Sequence, residues 1–247
     1  MEDYIKEFWE NQGKTFKNSH KASWGDEYAI ALEIKEICNH INENDDVLDV
    51  GCANGYSSFF YNKCNPNSVT GVDFAANMIY HAKEKTKKLN LENKFSFYEG
   101  DIRNLSFPNS EFDLSVSTRV LINLRNWDEQ KVAIKELLRV TKNGGKVLLS
   151  EAFYEPLVLL NSMRKLVKLK PLYEHDFNRY LKKSKLEQFL EKNEYSYECK
   201  EISSLYYLGS RFLRELITDY DSYEGYSNPI NKQFFELEEK YNGGGFG

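Results

Sequence analysis

The stretch Asp49-Val50-Gly51-Cys52-Ala53-Asn54-Gly55 places two glycines and a carboxylate directly behind a short apolar run. Glycine at 51 and 55 lets the backbone turn sharply and approach a ligand with no Cβ in the way, and Asp49 sets a carboxylate beneath that turn. A purely structural turn has the same spacing. Asp73 adds a second signal. It ends the next apolar run, 18 residues after Gly55, where an acidic side chain grips ribose hydroxyls, and it is equally placed to cap the following helix. The kind of ligand follows from what is missing. A GxGxxG loop holding a pyrophosphate would need glycines where the chain has Ala53 and Tyr56, and no phosphate-gripping GxxxxGKS/T run occurs. The loop fits a ribose-bearing ligand without phosphates.

Such residues need a rigid frame, and the periodicity supplies one. Helical spacing over 26–41 follows Ser23-Trp24-Gly25-Asp26, a capping box. Strands are expected at 47–50, 68–72, 94–98, 112–117 and 146–150, and helices at 57–61, 75–89 and 127–140, with a turn at Asn143-Gly144-Gly145. Strands alternating with helices of this length imply right-handed crossovers: an α/β fold with a doubly wound, mostly parallel sheet. Ligands of such a sheet sit at the carboxyl ends of its strands. Beyond 152 the rhythm breaks. Leu157, Leu160, Met163 and Val167 mark a helix, Ser184 to Glu187 reads as a cap for another reaching Lys192, 195–202 alternates like a strand, and 231–241 is helical. One domain over 1–247 is expected: N-terminal helices or lid at 1–44, a cofactor core at 45–152, a helical cap at 153–193 and sheet closure, possible as an incomplete one, at 194–247.

VLDVGCANG, VTGVDFAANM, EGDIRNLSF, FDLSVSTRVLINL and LLRVTKNGGKVLLSEA, in that order over roughly 45–152, resemble the successive motifs of class I S-adenosylmethionine-dependent methyltransferases. The resemblance implies a Rossmann-like methyltransferase fold with S-adenosylmethionine as cofactor. It lays the loop from Gly51 through Cys52, Ala53 and Asn54 to Gly55 along the methionine part, with Asp49 beneath it, and gives Asp73 the ribose. Asp101 and Ile102 would bracket the adenine, the carboxylate accepting from the amino group and the Ile102 N–H donating to a ring nitrogen. Phe74 and Met78 would flank the adenosine, and Thr118, Arg119 and Val120 would line the pocket. In similar enzymes an aromatic N-terminal segment folds over the cofactor; here it carries Phe8, Trp9, Phe16, Trp24 and Tyr28, and Trp24 could face a sulfonium by cation–π attraction.

Methyl transfer from a sulfonium is an in-line displacement, so positioning supplies much of the rate and a strong base is optional. Many relatives carry a histidine near position 123, where this chain has Asn123, which cannot abstract a proton at neutral pH. Asn123 could orient the acceptor or simply fix its loop. Glu151, after the fifth strand, and His175, in a loop, are the other candidate catalytic residues.

The charge balance, 33 basic against 38 acidic residues for −5, gives no footprint for a phosphate backbone, and no NPPY or DPPY follows the fourth strand where nucleic-acid enzymes of the family carry one. The expected partner is a small-molecule acceptor, with no nucleic acid and no membrane. Residues 161–192 nevertheless hold nine basic against four acidic residues. That is either a solvated face or a surface steering an anionic acceptor such as a nucleotide-linked sugar. Cys38, Cys52, Cys64 and Cys199 show no metal spacing, so no metal is expected. Without a leader-like N-terminus or an apolar span, the expected location is cytoplasmic. An exposed sheet edge would favour a homodimer. Two readings compete with the methyltransferase: a nucleoside-binding module without turnover, and a nicotinamide-dependent oxidoreductase, disfavoured by Ala53 and Tyr56.

Overall fold

A computed structural model describes residues 2–218 and 225–241. Five strands, β1 (Asp46–Val50), β2 (Ser68–Asp73), β3 (Phe95–Glu99), β4 (Phe112–Thr118) and β5 (Thr141–Ser150), form one sheet in the order β3-β2-β1-β4-β5. Every neighbouring pair is parallel. Crossover helices covering both faces explain why β1 reads as a nearly unbroken apolar run: Val47, Leu48 and Val50 are all buried. The switch point falls between β1 and β4, where the strand order reverses direction.

The helices are α1 (Glu2–Phe16), α2 (Glu27–Cys38), α3 (Tyr56–Tyr61), α4 (Ala76–Leu89), α5 (Trp127–Val140), α6 (Tyr154–Leu166), α7 (Lys183–Lys192), α8 (Ser204–Leu208), α9 (Arg214–Ile217) and α10 (Asn231–Tyr241), with a π-helical segment, Gly209–Leu213, joining α8 to α9. The chain divides into two compact units: residues 1–25, 34–151 and 176–179 in one, 26–33, 152–175 and 180–247 in the other.

The first unit is the sheet with its helices. Ile37, Ile41, Val47, Val69, Ile79, Phe95, Phe97, Leu114 and Val116 make its main core. β5 begins at Thr141 rather than at 146, because the buried Thr141 hydroxyl bonds with both Ser115 Oγ and Leu137 O, each at 2.7 Å. The Asn143-Gly144-Gly145 turn then loops out of the strand: the register passes from Phe112 opposite Thr141 to Leu114 opposite Lys146.

The second unit is helical. Its centre is ionic: Arg164 pairs with Glu215 at 2.9 Å, and the fully buried Asp26 carboxylate accepts from Tyr206 Oη at 2.6 Å, Arg211 Nη2 at 2.5 Å and the Ala29 N–H at 3.2 Å. Asp26 is therefore the residue that caps α2, and the capping box expected from Ser23 does not form; Ser23 Oγ instead donates to His20 O. The cap expected at Ser184 is also absent. That residue lies inside α7, whose Lys183 N–H is taken by the Glu155 carboxylate at 3.1 Å.

No strand follows β5 among the described residues. The alternation at 195–202 adopts no regular pairing, and 204–208 is α8, with Tyr206 N–H held by buried Glu238 at 2.9 Å. The expected sheet closure is thus replaced by helices, and the terminal glycine run lies outside the described residues. No described helix is long and apolar enough to cross a membrane.

Candidate functional site

The loop after β1 is held to the end of β2 by two N–H donors, Gly51 and Cys52, that share Val72 O at 2.7 and 3.1 Å. Gly51, Ala53 and Gly55 all take positive φ, at 80°, 47° and 72°, so the sharp turn expected from the sequence is present. The reason for glycine differs. A Cβ on Gly51 would lie 1.9 Å from Val120 Cγ2, and one on Gly55 would lie 2.9 Å from Phe97. What the missing Cβ admits is protein, not ligand.

Two buried carboxylates underlie this turn. Asp49 accepts from Ser58 Oγ at 2.5 Å, and desolvation pushes its pKa up to about 6. Asp73 accepts from Ala53 N and Ala75 N, both at 2.9 Å, so it braces the loop and caps the entry to α4 together. Burial also raises Asp73 to about 6, against the lowering effect of those two N–H groups. A carboxylate so placed at a switch point is an acceptor for hydroxyl donors.

Cys52 and Asn54 look away from a ligand role. The Cys52 thiol donates to Ala53 O and packs in the main core, within 2.8 Å of where a Gly71 Cβ would stand. Asn54 donates to Lys17 O at 2.5 Å and Ser19 O at 2.8 Å, fastening the N-terminal segment to the loop.

That segment is anchored at three further places, none of which the sequence pointed to. Lys6 pairs with Glu99, at the end of β3, at 2.9 Å. The Glu10 carboxylate accepts from Ala76 N at 2.7 Å and Asn77 N at 3.0 Å, serving the open N–H groups of α4 from another helix. Trp9 Nε1 donates to Asn123 Oδ1 at 2.9 Å. Trp9 and Phe16 pack on a buried cluster of Ala22, Ala53, Ala75 and Met78, so Met78 is core beneath α1, while Phe74 is half-buried. Phe177 completes the aromatic contact, its ring 5.1 Å from that of Phe8.

At the end of β4, Thr118 Oγ1 is buried with no hydrogen-bond partner among the described residues. Arg119, at φ 56°, stacks its guanidinium 4.7 Å from the Trp24 ring centre, so that aromatic face already holds a cation. Val120 fills the space left by Gly51. After β3, Ile102 is buried, and Arg103 donates to Asp101 through Nε at 3.0 Å to both oxygens and through its backbone N–H at 2.8 Å. The adjacent guanidinium and these bonds hold the Asp101 carboxyl below the usual carboxylate range in spite of its burial.

The candidate catalytic residues separate. Asn123 uses both ends of its amide, accepting from Trp9 and donating to Arg119 O at 3.0 Å; these are the bonds of a loop-fixing residue. The Glu151 carboxylate accepts from Val120 N at 3.0 Å, Leu121 N at 2.9 Å and Ile122 N at 3.3 Å, closing the short 3₁₀ turn Leu121–Asn123. Desolvation nevertheless pushes it up to about 7. His175 is exposed and lies in the other unit. No cluster of possible metal ligands occurs among the described residues.

Residues 47–145 match a family model described as a methyltransferase domain. A demethylmenaquinone methyltransferase of Leptospira interrogans is 37% identical over 117 residues, covering 47% of this chain and 46% of the relative. The chain spans about half to three fifths of the length of the curated relatives it matches. Among solved structures, the magnesium protoporphyrin IX methyltransferase of Synechocystis, which holds S-adenosylhomocysteine, superposes with a TM-score of 0.54 over 70% of this chain and 77% of that one at 19% identity. The cyclase SpnF superposes with a TM-score of 0.58 over 86% of this chain and 76% of that one, also at 19%. At such identities the likeness is one of fold.

Proposed function

We propose that this protein binds S-adenosylmethionine and transfers its methyl group to a small-molecule acceptor, a reading supported by the match of residues 47–145 to a methyltransferase-domain model. The observation that carries the reading is a buried polar atom left open at the carboxyl edge of the sheet, the partnerless Thr118 hydroxyl at the end of β4, with the buried Asp73 carboxylate ending β2 on the same edge. A buried hydroxyl without a partner costs about 1–3 kcal/mol, which a polar ligand would recover.

When bound, the cofactor supplies a methyl group activated on a sulfonium. The chain's own part is placement. Asp73 accepts the ribose hydroxyls, the loop from Gly51 to Gly55 sets the edge of the pocket, and Ile102 offers an apolar wall to the adenine. Glu151 and Asn123 hold the turn after β4 rather than meeting the acceptor. α1 is the lid, latched at Glu99, at the start of α4 and at Asn123, and it excludes water from the site. Fixing two reactants in line in a dry site supplies about 7–11 kcal/mol of barrier reduction without a base.

A second reading keeps the pocket and drops the transfer. It is favoured by the engagement of both Asn123 and Glu151 in backbone bonds, and a structural neighbour is named for cyclisation. One experiment separates the two. The protein is incubated with methyl-labelled S-adenosylmethionine and fractionated aqueous and lipid extracts, and labelled products are identified by mass spectrometry, with calorimetry of S-adenosylhomocysteine in parallel. Binding with a labelled product supports the methyltransferase; binding with no product in any fraction supports the second reading; no binding sinks both.

A further inference from the structure

The helical unit carries an apolar surface that the methyl-transfer reading does not use. On α6, Leu157, Leu160 and Arg164 are buried, while Tyr154, Val158, Leu159 and Leu166 are exposed. At about 100° per residue Val158, Leu159 and Leu166 fall on the side away from the buried set, with exposed Glu155 and Ser162 among them. The exposed side of a surface helix is ordinarily polar. Here Val158 and Leu159 are each 45% exposed and Leu166 is 84% exposed. Tyr173, in the loop after α6, is 81% exposed. Its loop is folded back along α6, since Asn161 accepts from Leu172 N at 2.8 Å and donates to Leu172 O at 2.9 Å, and Arg164 Nε donates to Lys170 O at 2.7 Å.

Lysines rim this strip. Lys165, Lys168 and Lys170 are exposed around its C-terminal end, and Lys182 stands 5.3 Å over the Tyr154 ring at the other. The carboxylates are engaged with backbone: Glu155, on the outer face itself, accepts from Lys183 N, and Glu174 from Tyr180 N. The local basic excess of 161–192 therefore has a place, edging an apolar helix face.

We propose that the outer face of α6, with the lysines at its ends, forms a docking surface for an anionic lipid bilayer, the apolar side chains entering the headgroup boundary and the lysines meeting lipid phosphates. An amphipathic helix with Lys at its margin and aromatic and aliphatic side chains on its outer face lies in the membrane plane, held by buried apolar area and by attraction to anionic lipids. α6, about 20 Å long, presents its outer side without crossing the bilayer. This surface goes beyond methyl transfer and stands without it. It also revises the expectation of no membrane partner, which followed from the lack of an apolar span; docking on a surface needs none.

The test is co-sedimentation of the full chain with vesicles of phosphatidylcholine, with and without phosphatidylglycerol, at low and high salt. Binding is expected only to the anionic vesicles and weakens with salt. The exposed pairs Leu159→Ser with Leu166→Ser, and Lys165→Glu with Lys168→Glu, should each lower vesicle affinity by about tenfold or more while the far-ultraviolet dichroism stays unchanged. Failure to pellet with anionic vesicles, or undiminished binding by the leucine pair, overturns the proposal. So does concentration-dependent self-association in ultracentrifugation that the leucine pair abolishes, which would assign the face to a second copy of the chain.

Discussion

Trp9 Nε1 donates to Asn123 Oδ1 at 2.9 Å, joining the first helix of the chain to the turn after β4 across 114 residues of sequence. The same amide donates to Arg119 O. One side chain thus ties the turn after β4 to α1, its amide oxygen accepting from the indole while its amide nitrogen holds the turn.

Trp9→Phe keeps an aromatic ring against Phe8 and Phe177 but removes the donor. A single part-buried hydrogen bond is worth about 1 kcal/mol, so S-adenosylhomocysteine should dissociate about fivefold faster in stopped-flow fluorescence while the melting temperature changes little. An unchanged off-rate would mean that α1 does not gate the pocket.

Gly51→Ala should be far more damaging than its size suggests. The new Cβ meets Val120 Cγ2 at 1.9 Å and sits at φ 80°. Loss of about 2–4 kcal/mol is expected in urea unfolding. Adding Val120→Ala should recover the part due to the collision but not that due to φ, so a full rescue would refute the backbone argument.

Asp73 has a pH signature. Its pKa of about 6 is raised chiefly by burial, and the ionised form is the better acceptor for hydroxyls. Cofactor affinity should therefore fall by up to about tenfold per pH unit below that value. Asp73→Asn should bind weakly at all pH values with no such slope, read by calorimetry across about pH 5 to 8.

Stability carries the opposite sign. Asp49 and Asp73 at about 6 and Glu151 at about 7 lie above their unfolded values, so the folded protein binds more protons than the unfolded one in that window. Their contribution is full below about pH 4 and is lost as pH rises through about 6 to 7. The ligand-free protein should resist urea better at about pH 5.5 than at about pH 8, and Glu151→Gln should flatten the upper part of that slope. Equal midpoints at both pH values would contradict the burial of these groups.

In the helical unit, Asp26→Ala strands Arg211 and Tyr206. Removing one partner of a buried ion pair costs about 3–5 kcal/mol, so a large drop in the unfolding midpoint is expected, with Asp26→Asn milder. A loss below about 1 kcal/mol would place the pair in solvent instead.

The five strands and the helices between them were legible because each is declared locally: an apolar run of about five residues, a turn residue, then a 3.6-residue period. Their parallel direction followed from the crossover rule, and the Asp49 to Gly55 loop follows β1 at the switch point with Asp73 ending β2 beside it. β5 was read short because its first residue is held by Ser115 across the sheet, a contact that leaves no periodic mark. The alternation at 195–202 misled because period-two patterning describes a candidate strand without supplying a neighbour to pair with.

Composition and pattern by themselves determined the parallel sheet and the position of the glycine turn after β1, since both depend on spacing along the chain. Only the tertiary structure decided which polar atoms remain available. Asn123 is spent on Trp9 and Arg119 O, Glu151 on backbone N–H groups, Gly51 makes room for Val120, and Thr118 is left with a buried hydroxyl. It also decided that the basic stretch edges an exposed apolar helix face. A hydrogen bond or a surface is a relation between residues far apart in sequence, and no local spacing carries it.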